Sequence, residues 1–75
     1  MLPPDFETQV ARGFRRWPEM ALKNLDAGAR LEYAMITGNT QGAVAALTDW
    51  VDSRVAAAVY DETERLGAVT REIER

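Results

Sequence analysis

From Gly42 to Arg75, apolar or small residues recur at Val44, Leu47, Val51, Val55, Ala58, Leu66, Val69 and Ile73. The steps are three, four, four, three, eight, three and four, and the eight passes over one slot, Glu62. With that slot filled, the pattern has an eleven-residue period. A helix of about 3.67 residues per turn keeps such a period on one side, as a straight or slightly right-handed seam. The stretch contains no Pro and one internal Gly, Gly67. It predicts one long helix, from Thr40 or Gln41 to near Arg75, of about 35 residues and on the order of 50 Å.

A chain of 75 residues makes a single domain, 1–75. At this length a core is marginal unless something staples it or copies associate. There is no Cys and no His. That removes disulfides, thiolate metal sites, the commonest metal ligand and the commonest general base. Twelve acids against nine bases give a net charge of −3, which disfavours nonspecific nucleic-acid binding. No segment has the length of a membrane span. The opening Met1-Leu2-Pro3-Pro4-Asp5 lacks the basic-then-apolar order of a secretory signal, so the expected location is the cytoplasm. No glycine pattern for cradling phosphate occurs, and the one serine, Ser53, has no base to activate it. The expectation is a protein without catalytic activity, metal or cofactor.

Twelve alanines and the lack of β-branched alternation favour closely packed helices. Pro3 and Pro4 make residues 1–4 irregular. Asp5 is a candidate N-cap for a short helix, Phe6 to about Arg16, within an arm spanning 1–17. Its apolar face is Phe6, Val10, Gly13 or Phe14, and Trp17. Pro18 marks a boundary and suits the first position of a second helix, 18–37. That helix carries an apolar stripe of Leu22, Leu25, Ala29, Tyr33 and Ile36, widened by Ala21, Gly28, Leu31 and Met35. Glu19–Lys23 and Asp26–Arg30 are favourable i,i+4 pairs. Gly38 suits the left-handed position after a helix end, and Asn39 or Thr40 can cap the next helix. So short a connection predicts an antiparallel hairpin with arms of unequal length. The unequal arms leave the stripe from roughly Val55 to Ile73 without a partner inside the chain. The fold class is all-α: a short N-terminal helix, then the hairpin with a long C-terminal helix, assembled as an oligomeric bundle, dimer or tetramer.

Leu22, Leu25, Ile36, Val44, Leu47, Val51, Val55, Val59, Leu66, Val69 and Ile73 are the candidate self-association or partner-binding residues. Trp50 and Tyr60 flank the stripe and either widen the buried face or anchor a partner. Trp17 has the same two readings, with a lid over the hairpin as its structural one. Arg12, Arg15 and Arg16 form a basic patch beside Phe14 and Trp17. It is either solvated and paired with the acidic last helix, or it contacts an anion. Asp61, with Arg65 four residues on, reads as a solvated face. Glu62 is either a polar layer that sets register or a residue at the seam's margin.

One order of features resembles a family. It runs Asn24-Leu25-Asp26-Ala27-Gly28-Ala29-Arg30, the break Gly38-Asn39-Thr40, Ala43 to Trp50, then Ala56-Ala57-Ala58-Val59-Tyr60 leading to Glu64-Arg65-Leu66-Gly67. It is similar to the phasins, helical proteins of polyhydroxyalkanoate storage granules. The resemblance spans about two thirds of the chain. It implies a non-catalytic, oligomerising amphipathic protein that covers a hydrophobic granule surface. Phasins are longer, and their first long helix is not cut as Pro18 and Gly38 cut it here. The alternative is a small helical adaptor, assembly factor or inhibitor, of phage or plasmid accessory type, that binds one protein partner. A third reading is a small DNA-linked regulator in which the basic first helix touches phosphate.

Overall fold

The computed structural model describes residues 5–74. Residues 1–4, read above as irregular, lie outside the described residues, as does Arg75. All three elements are helices: α1 (Phe6–Arg16), α2 (Pro18–Ile36) and α3 (Thr40–Glu74). Pro18 is the first residue of α2, where its missing N–H breaks no hydrogen bond. Asp5 holds the N-cap position of α1 without a side-chain capping bond; its carbonyl accepts from the Gln9 N–H.

The connection between α2 and α3 is tightly specified. Gly38 has φ +71, and its N–H bonds to the Met35 carbonyl. The Asn39 N–H reaches back to the Ala34 carbonyl at 2.8 Å. These two bonds are the Schellman closure, which places a left-handed residue just past the helix end. Asn39 then caps α3: its Oδ1 accepts from the Gly42 N–H at 2.9 Å.

Both shorter helices lie on α3, and they touch each other little. The contacts of α2 run in reverse order along α3. Asn24 donates to the Ser53 hydroxyl and to the Trp50 carbonyl, and Arg30 pairs with Asp49. α1 lies against the stretch of α3 from Trp50 to Glu62. Gly13 makes the closest approach, since a Cβ there would lie 2.0 Å from the Ala57 carbonyl oxygen.

The faces that meet are not the large apolar ones. In α2 the buried line is Met20, Ala27 and Ala34. In α3 it is Ala46, Ser53, Ala57, Ala58 and Asp61. The large residues of the expected stripes are turned outward, and of the α3 stripe Ala58 alone is buried. Ile36 is 84 % exposed, and Leu22, Leu25, Tyr33 and Met35 are also exposed. The expected division of the α3 stripe into a covered half and a free half is therefore corrected. Val44, Leu47 and Val51 are exposed just as Val55, Val59, Leu66, Val69 and Ile73 are. Small side chains let backbones approach closely, and the polar matches Asn24–Ser53 and Arg12–Asp61 form across this seam.

Candidate functional site

The site is the outer face of α3. Its residues lie about two positions before the buried ones: Val44 before Ala46, Val51 before Ser53, Val55 before Ala57. Two residues are about 200° of helix, so the large apolar line stands nearly opposite the small packed line. The exposed line runs from Val44 to Ile73, interrupted once at Glu62, a span of roughly 44 Å. α1 borders it on one side: Phe6 lines a hollow with Trp50, Val51, Arg54 and Val55. Beyond Gly67 every described residue of α3 is exposed, so the last turns project past the other two helices.

Three acidic residues of α3, Asp49, Asp61 and Glu62, are tied to the shorter helices. Asp61 is 1 % exposed and accepts from Arg12 Nε and Nη2, at 3.2 and 3.1 Å. Asp61 as a solvated partner of Arg65 is therefore a correction. Arg65 instead lies 3.6 Å from Glu62. A buried carboxylate needs charge and donors, and Arg12 of α1 brings both to this point. The Arg12 guanidinium is held above its ordinary range, first by its hydrogen bonds to Asp61. Arg30 is also raised, by Asp26 and then Asp49. Of the two i,i+4 pairs expected in α2, Asp26–Arg30 closes at 2.9 Å. Glu62 is half-buried at the α1 margin, accepting from Gln9 Nε2 at 2.9 Å. Arg54 bonds Glu7 and lies 4.7 Å from the centroid of the Trp50 ring.

The aromatic candidates are drawn inward. Trp17 and Tyr60 contact each other with ring centroids 5.3 Å apart, and both are half-buried. Trp50 is half-buried against Gly28, Arg54 and Phe6. Of the basic patch, Arg12 is engaged with Asp61 while Arg15 and Arg16 are exposed. The buried Asp61 had one legible sequence signal. It falls eight residues after Ser53 and four after Ala57, on the small-residue line rather than among the solvated acids. Among the described residues, no helix is long and apolar enough to cross a membrane. Compared with protein families, curated proteins and solved structures, the chain matches none.

Proposed function

We propose that this is a non-catalytic amphipathic protein that works through the outer face of α3. It covers a hydrophobic surface when one is present and self-associates when none is, in the manner that its resemblance to phasins implies. The observation that carries this reading is the long exposed line Val44, Leu47, Val51, Val55, Val59, Leu66, Val69 and Ile73, interrupted only at Glu62. Isolated exposed apolar residues are ordinary, but a line of this length marks an association surface. The intrachain packing uses a different face, so α3 can bind outward without first unfolding. The half-buried state of Trp17, Trp50 and Tyr60 supports a broad apolar contact over an adaptor that docks by free aromatic anchors.

The test is partition of the whole chain onto polymer or oil droplets. The wild type should coat them, and Val55→Asp combined with Val69→Asp should abolish coating while the helical circular dichroism signal is retained. A wild type that ignores such droplets and co-purifies stoichiometrically with one protein sinks this reading in favour of the adaptor.

A further inference from the structure

We infer that the molecule carries two self-association faces on opposite sides, so its assembly does not close at the dimer. This extends the proposed use of the α3 face by adding a second contact on α2. Within α2 the outer apolar residues also stand two positions from the packed line: Leu22 after Met20, Ile36 after Ala34, and Leu25 before Ala27. Each offset is about 200° of helix. α2 and α3 meet through their packed lines, so their outer lines face away from each other. α1 lies on α3 and leaves the α2 line open: Leu22, Leu25 and Ile36 are 65 %, 69 % and 84 % exposed.

The occupant of each face is a second copy, and exposed area sets the order of assembly. Eight large side chains at about half exposure leave on the order of 700 Å² on the α3 face. Two copies meeting there would bury roughly 1,400 Å², within the range of stable interfaces. Leu22, Leu25, Tyr33 and Ile36 offer on the order of 500 Å². Two such faces would bury roughly 1,000 Å², at the lower end of specific contacts. The α3 contact therefore forms first, and the α2 contact links the products. The one charge inside the α3 line, Glu62, is already held by Gln9 and Arg65, so closing the contact strands no carboxylate. Two such faces on opposite sides propagate an assembly, whereas one face alone closes it at two copies.

The experiment is sedimentation velocity with light scattering on the whole chain across a concentration series in the absence of droplets. The wild type should pass from dimer to larger species as concentration rises. Leu25→Glu with Ile36→Glu should stop at twice the 8.4 kDa chain mass. Leu22→Lys with Ile36→Lys should do the same, and circular dichroism should show both variants fully helical. Val51→Glu with Val69→Glu should remove the first step, leaving monomers in equilibrium with a weaker dimer. A wild type that stays dimeric at its solubility limit overturns the inference, as do α2 variants with the wild-type size distribution. Droplet coating that persists in that case leaves the proposed function standing. A wild type monomeric throughout overturns the two-face assembly, and its droplet coating then decides the function separately.

Discussion

Arg12 and Asp61 are unequal partners. Asp61 is 1 % exposed at its side chain and Arg12 is 33 % exposed. Removing Arg12 strands a carboxylate with no route to water. Removing the Asp61 charge leaves a guanidinium that can turn outward. Arg12→Ala should therefore be clearly more destabilising than Asp61→Asn, because only the first leaves a buried charge without its partner. Urea unfolding of both variants at one protein concentration checks this, and equal losses would contradict it. A raised arginine pKa contributes fully below its ordinary range and is lost only as pH rises through the folded value. Arg12 and Arg30 therefore add no pH dependence near neutrality. Gly13 is the most tightly packed of the glycines. A methyl group there would meet the backbone of Ala57, which cannot yield as a side chain can. Gly13→Ala should detach α1, costing on the order of 2 kcal/mol or more. Limited trypsin digestion should then cut first at Arg12, Arg15 and Arg16.

At the scale of the element, helix ends and helix faces differed in how well they could be read. Pro18, Gly38 and Asn39 act through local backbone chemistry, and the boundaries they imply match α1, α2 and α3 to within one residue. The first helix buries Val10 and Gly13 of its expected face, but the inward faces of α2 and α3 were misread because two periodic patterns share the same chain. The Val and Leu pattern is strong in hydrophobicity, while the pattern through Ala46, Ser53, Ala57 and Asp61 is almost silent in it. Close approach and hydrogen-bond matching choose between them, and neither is encoded in apolar spacing. Glycines separate in the same way. At Gly67 an added methyl would meet only the flexible end of Arg71, at 3.7 Å. Gly67→Ala should thus stabilise the projecting end of α3 by about 0.5–1 kcal/mol, read as increased helical signal and slower amide exchange after Leu66.

The whole molecule is elongated, 56 × 26 × 16 Å with a radius of gyration of 15.4 Å. A compact chain of this length would have a radius near ~11 Å. A shape with so much surface, and with Val44 to Ile73 turned outward, would draw part of its stability from the self-association proposed above. The thermal midpoint should consequently rise with protein concentration, as mass action requires when only the folded form associates. Scanning calorimetry over a hundredfold concentration range checks this; a constant midpoint would contradict a self-associating native state. Val51→Glu with Val69→Glu should flatten the dependence.

The small-residue seam also inverts the usual map of mutational tolerance. In most domains Val and Leu are the residues that resist replacement, and surface alanines change freely. Here Gly13, Ala27, Ala46 and Ala57 should reject anything larger, since Gly13 and Ala57 lie where backbones nearly touch and Ala27 and Ala46 are buried in the seam. Val44, Val51 and Val69 should accept Ile, Leu or Met without loss of monomer fold, because their side chains are exposed rather than packed inside the fold. In a saturation library sorted once for folding and once for droplet binding, the two scores should come apart along these two lines. Fold would be written in the smallest side chains of α3, and affinity in the largest.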